Sequence, residues 1–114
     1  IFYFKYELLN FQKYKNKKLI PFAGIGNPNN FFDILHENNL ICTKTFCFPD
    51  HHKFTDNELE KLINEAKKNN AILITTEKDY LRINKKFQSS INYLKINLKI
   101  QNESRFLNFI KKKL

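Results

Sequence analysis

The chain of 114 residues contains no methionine and no tryptophan, only two glycines and three prolines, and two cysteines. Without a methionine even at its start, it is expected to be a piece of something longer. Cys42 and Cys47, with no recognisable export signal, do not make a disulfide scaffold. They stand five apart in an expected strand, where odd spacing puts side chains on opposite faces. A local disulfide or shared metal is therefore not expected, and the reading is reduced thiols in a cytoplasmic protein. Arginine is also scarce: of twenty basic residues, eighteen are lysine. A net charge of +9 ordinarily points to nucleic acid or an anionic membrane surface. Arginine, however, is the residue suited to bidentate recognition of phosphates and bases. Lysine, asparagine, isoleucine and phenylalanine share A/T-rich codons, so much of the charge follows composition. No nucleic-acid partner is expected, whereas attraction to an anionic membrane surface stays open. Long hydrophobic runs are missing as well; none approaches the roughly 18 apolar residues that span a bilayer. The opening Ile1 to Leu9 is broken by Lys5 and Glu7 and is read as neither signal nor anchor.

What is present suffices for one modest core: 42% hydrophobic residues, twelve of the chain being phenylalanine. Residues 1–9 read as a strand and residues 10–18 as a polar, basic connector. Leu19 to Ala23 is a buried strand stopping at Gly24. Asn27-Pro28 starts a helix, Asn as cap and Pro at the first position, with Phe31, Ile34 and Leu35 on its apolar face. Leu40 to Phe48 is expected as a strand ended by Pro49. Thr55 and Glu58 form a capping box ahead of Leu59, Leu62, Ile63 and Ala66, an amphipathic helix to about Lys68. Ala71 to Thr75 is another buried strand, after which Thr76 and Asp79 cap a short turn. Residues 84–92 are polar and irregular. Leu94 to Ile100 alternates apolar and polar residues, as a strand near a sheet edge does. A last helix is expected from about Glu103. Strands alternating with helices predict an α/β fold: a mainly parallel sheet with helices on both faces, Rossmann-like and three-layered, behind a linker strand.

In such sheets ligands gather at the carboxyl ends of strands, and three unusual segments fall there. Gly24-Ile25-Gly26-Asn27-Pro28 holds both glycines of the chain. It serves either as a structural strand-to-helix turn or as a place where substrate or another domain approaches the backbone. It lacks the third glycine of a dinucleotide fingerprint and the lysine of a P-loop. Asp50-His51-His52 suits proton transfer, charge stabilisation or, with other ligands, a metal. No second ligand cluster accompanies it and His36 lies within a helix, so no metal is expected. Neighbouring histidines in an extended loop point apart, one free to face a reaction while the other packs. Glu77, Lys78 and Asp79 follow the apolar Ala71 to Ile74 and suit either helix capping or a site.

Taken in order, PFAGIGNPNNFF, FPDHHKFT and ITTEKDYLR resemble the carboxy-terminal domain of the lipid A 4′-kinase (tetraacyldisaccharide 4′-kinase) family, most closely over residues 19–83. The resemblance implies transfer of the ATP γ-phosphoryl, with Mg²⁺, to the 4′-hydroxyl of a lipid A disaccharide precursor at the cytoplasmic face of the bacterial inner membrane. It implies two α/β domains joined by a two-stranded linker, residues 1–18 holding one linker strand and the connector, and residues 19–114 the carboxy-terminal domain. His51 matches the family histidine that, paired with an aspartate of the other domain, assists the sugar hydroxyl. Asp50 is expected to fix the loop, with His52 secondary, Glu77, Lys78 and Asp79 supporting, and Gly24, Gly26 and Asn27 forming a substrate or interdomain turn. The family's P-loop and Mg²⁺ residues belong to the amino-terminal domain, and no GxxxxGK[ST] occurs in this sequence. Neither ATP nor Mg²⁺ is expected to bind this piece alone, and it is expected to be inactive by itself. Two rivals remain: a non-catalytic α/β module docking a separate nucleotide-binding partner, and a basic nucleic-acid binder.

Overall fold

The computed structural model describes residues 3–24 and 28–101. Its centre is β2 (Lys18–Ala23), in which every residue after Lys18 is buried. A strand with parallel neighbours and covered faces has no wet side, which is why this segment reads as a continuous apolar run. Its residues alternate between two cores. Leu19 and Ala23 pack with Phe31, Ile34 and Leu35 of α1 (Pro28–Glu37) on one face. Ile20 and Phe22 pack with Leu59, Leu62 and Ala66 of α2 (Asp56–Lys68) on the other.

The strand order is β1-β6-β5-β2-β3, with β4 also on β2. Here β1 is Tyr3–Leu9, β3 Ile41–Cys42, β4 Phe46–Cys47, β5 Ile72–Thr76 and β6 Asn92–Gln101. All pairings are parallel except β1 with β6. The expected mainly parallel α/β fold with helices on both faces is what forms.

Four expectations change in detail. The single strand expected over residues 40–48 breaks into β3 and β4, both on the same edge of β2. Leu19 pairs with Cys42 and Phe22 with Phe46, so three steps along β2 face four along its neighbour. One extra residue reverses the alternation. Cys47 therefore pairs with Ala23, on the same side of the sheet as Cys42 rather than the opposite one. Both thiols are free, Cys42 against the α1-side core and Cys47 exposed.

The basic connector is not wholly solvated. After a 3-10 turn over Gln12–Tyr14, Tyr14 enters the core at 4% exposure and donates to Asn92 Oδ1 at 3.4 Å. Residues 84–92 are not irregular either: Asn84 caps α4 (Lys85–Gln88), and Phe87 and Ile91 are buried. Two apolar residues in a polar stretch are too few for periodicity to register.

The strand expected near a sheet edge is β6, which stands next to the end strand β1 in the strand order. Asn92, Tyr93 and Leu94 pair with β5, and Lys95 onward pairs with β1 on the opposite side. Each stretch thus has one partner, and β1 with the distal part of β6 forms a two-stranded antiparallel ribbon. The helix expected from about Glu103 lies outside the described residues.

Candidate functional site

Gly24 follows β2 directly, and its role is one of space. A Cβ there would stand 3.3 Å from the Pro49 carbonyl oxygen, 3.3 Å from Phe54 Cζ and 3.5 Å from His52 Cβ. The Pro49–Phe54 loop therefore rests on the glycine backbone, which a side chain would push away. The Gly24 N–H donates to Asp79 Oδ2 at 3.0 Å, across 55 residues of sequence. Gly26 and Asn27 lie outside the described residues.

Asp79 sits in the first turn of α3 (Glu77–Tyr80) and is fully buried. Its Oδ2 also accepts from the Thr76 hydroxyl at 3.0 Å, while its own N–H donates to that hydroxyl at 3.2 Å. The expected Thr76 cap is present, and the same carboxylate ties the β2 end to the β5 end. Oδ1 of Asp79 has no partner among the described residues. On the preceding residue, the Thr75 hydroxyl donates to the Phe22 carbonyl at 2.8 Å, a second tie between the two strands.

The Asp-His-His segment separates its two histidines. His52 stacks on Phe48, with ring centroids 5.1 Å apart, and meets Phe54 edge-on. Its Nε2 lies 2.9 Å from a Glu58 oxygen. Glu58 also accepts from the Thr55 N–H while its own N–H donates to the Thr55 hydroxyl, completing the expected capping box. That backbone donor first, and His52 after it, hold the Glu58 carboxyl below the usual carboxylate range. His52 is thus a pin between the loop and α2.

His51 faces outward, its side chain 71% exposed. Five described residues other than glycine have positive φ; four are asparagines at turns, and the fifth is His51 at +59°. Asparagine takes the left-handed region readily, and histidine is also among the residues enriched there. Asp50 Oδ1 accepts from the His51 N–H at 3.1 Å, and its Oδ2 stands 3.5 Å from His51 Nε2. On the other side, Arg82 Nη2 lies 3.3 Å from His51 Nδ1.

Arg82 is the residue that sequence reasoning missed. It follows α3 by one turn, its N–H donating to the Asp79 carbonyl, and only the fold carries it across to His51. The signal that was available is scarcity, since arginine occurs twice in the chain. Glu77 is half-buried, with Lys95 Nζ of β6 at 3.8 Å, and Lys78 is exposed. The structure therefore joins Gly24, Asp79, the Pro49–Phe54 loop, His51 and Arg82, and turns Glu77 towards β6. Among the described residues no three of His, Cys, Asp and Glu gather as a metal site. No described helix is long and apolar enough to cross a membrane.

Comparison with known proteins gives the family and the fold. Over 67 residues the chain is 51% identical to the tetraacyldisaccharide 4′-kinase of Bartonella quintana, an overlap of 59% of this chain and 20% of that protein. Over 69 residues it is 46% identical to that of Paramagnetospirillum magneticum, 60% of this chain and 21% of that one. The match thus spans about a fifth of these relatives' length. The fold is also that of the Aquifex aeolicus LpxK crystal structure in complex with ATP, which matches 97% of this chain and 35% of that one with a TM-score of 0.54 at 22% identity. The model of the family described as tetraacyldisaccharide-1-P 4′-kinase covers residues 5–114, and the chain belongs to that family.

Proposed function

We propose that this chain forms the acceptor-side wall of a lipid A 4′-kinase, in which His51 takes or orients the proton of the 4′-hydroxyl of a tetraacyldisaccharide 1-phosphate. The observation that supports this reading best is the contrast between the two histidines. His52 is committed to Glu58 and Phe48, whereas His51 is exposed, left-handed at the backbone and flanked by a carboxylate and a guanidinium. A strained residue at the tip of a well-packed loop is a mark of a functional position.

In phosphoryl transfer most of the catalysis is positioning and charge stabilisation, with one group serving the nucleophile. The hydroxyl O–H bond breaks towards the imidazole, the oxygen bonds to the γ-phosphorus, and that phosphorus parts from the diphosphate. ATP enters as co-substrate, and Mg²⁺ neutralises phosphate charge in such reactions. In this reading neither is held here: the sequence has no P-loop, and no cluster of metal-ligating side chains forms among the described residues. Both belong, in this reading, to an amino-terminal domain. In this reading the β1–β6 ribbon is the two-stranded linker towards it, residues 1–18 carrying one linker strand and the connector, and residues 19–114 the domain together with the strand that pairs with β1. The acyl chains hold such a substrate in a membrane, and we assign the reaction to the cytoplasmic face of the inner membrane, where a net charge of +9 favours anionic lipid.

The test joins this chain to the amino-terminal part of a relative and assays phosphate transfer to the lipid. Because position 51 needs a left-handed backbone, His51→Asn removes the imidazole while keeping the turn. A loss of kcat on the order of 10²-fold or more is expected of a lost proton acceptor. Near-normal turnover by the His51→Asn fusion would end the assignment.

A further inference from the structure

The contacts around His51 distinguish its two nitrogens. A guanidinium only donates hydrogen bonds, so with Arg82 Nη2 3.3 Å away, Nδ1 is the acceptor. In the neutral ring the proton then sits on Nε2, the nitrogen that stands 3.5 Å from the Asp50 carboxylate. The second oxygen of that carboxylate is anchored by the His51 N–H at 3.1 Å, which sets the position of the carboxylate beside the ring.

We infer that Nδ1 is the nitrogen that receives the substrate hydroxyl, and that Arg82 is a positioning residue that holds the ring in the required tautomer. This rests on the reading of His51 given above. The hydroxyl replaces the guanidinium as the donor to Nδ1, and the Asp50 carboxylate, 3.5 Å from Nε2, faces the imidazolium that forms. The displaced cation stays near the oxygen that acquires the phosphoryl group, where fixed positive charge stabilises the transition state. Arg82 suits this place because it cannot lose its charge and its planar fork is pre-organised. Its backbone is fixed by the Arg82 N–H bond to the backbone carbonyl of Asp79, the residue whose buried carboxylate ties down Gly24.

The experiment reads the ring directly, on the 114-residue chain with ¹⁵N-labelled histidine at alkaline pH, where imidazole is neutral. The expected result is a single Nε2–H tautomer for His51 in the wild type. Arg82→Ala should return the ring to a mixture of both tautomers, and Arg82→Lys, which keeps a cationic donor, should restore the Nε2–H form. An Nδ1–H ring in the wild type, or tautomer populations indifferent to Arg82→Ala, overturns the inference. That failure is separable from failure of the kinase reading, which is decided by turnover of the His51→Asn fusion.

Discussion

Asp79 shows how much a single residue does here. Its carboxylate accepts from Gly24 and Thr76 in a fully buried setting, where a hydrogen bond lost to truncation leaves its partner unsatisfied. Asp79→Ala is expected to destabilise the domain by about 3 kcal/mol, read as a lowered denaturation midpoint in urea. At Gly24 the constraint is steric, with no left-handed backbone involved. Gly24→Ala should cost roughly 1–2 kcal/mol by overpacking against the Pro49 carbonyl. The cysteines give a simpler contrast. Burial pushes the Cys42 thiol up from its ordinary value, while Cys47 is exposed. Because the thiolate is the reactive species, an aromatic disulfide reagent should label Cys47 first, and Cys47→Ser should abolish the fast phase.

At the scale of elements, α2 and the histidine loop behave as one unit because Glu58 serves both. It closes the capping box with Thr55 and holds His52. Thr55→Ala is expected to cost about 1 kcal/mol, as a lost N-cap does. Acid should loosen the same unit. Glu58, held down first by the Thr55 N–H, Asp56 by its hydrogen bond to Lys86 and Glu65 by that to Lys44 all have carboxyls below the usual range when folded. Such groups add stability that is present above the ordinary carboxylate range and lost as pH falls through their folded values. Stability should therefore decline below about pH 4, and Glu58→Gln should flatten that decline. Thermal melts across acid pH check both.

For the whole molecule, the proposed function predicts dependence on other protein. The sheet brings His51 and Arg82 to one rim, yet the sequence contains no phosphate cradle. The isolated chain should show no ATP-dependent phosphorylation of the tetraacyldisaccharide 1-phosphate, followed by radiolabel transfer from γ-labelled ATP. Measurable turnover by a pure sample would contradict the division of labour proposed here. The ribbon of β1 and distal β6 belongs to the same scale, because its strands are separated by the full length of the α/β unit in sequence and are adjacent only in space.

The amino-acid sequence by itself determined what local patterns can carry. The buried runs of β2 and β5, the periodic face and capping box of α2, the Thr76 cap and the three strand-end motifs were all legible, because each depends on residues within a turn or two. Asp50-His51-His52 stood out by composition alone. Only the tertiary structure decided the rest. The extra residue between β3 and β4 shows up against β2, not within residues 40–48 themselves, and it reverses which side Cys47 occupies. Tyr14 and Phe87 join cores assembled from distant segments. His52 became a pin and His51 an exposed ring beside Arg82 because Phe48, Glu58 and Arg82 approach from separate elements. Periodicity and capping are short-range, whereas register, burial and the partner of an ionisable side chain are set by contacts that exist only once the chain has closed on itself.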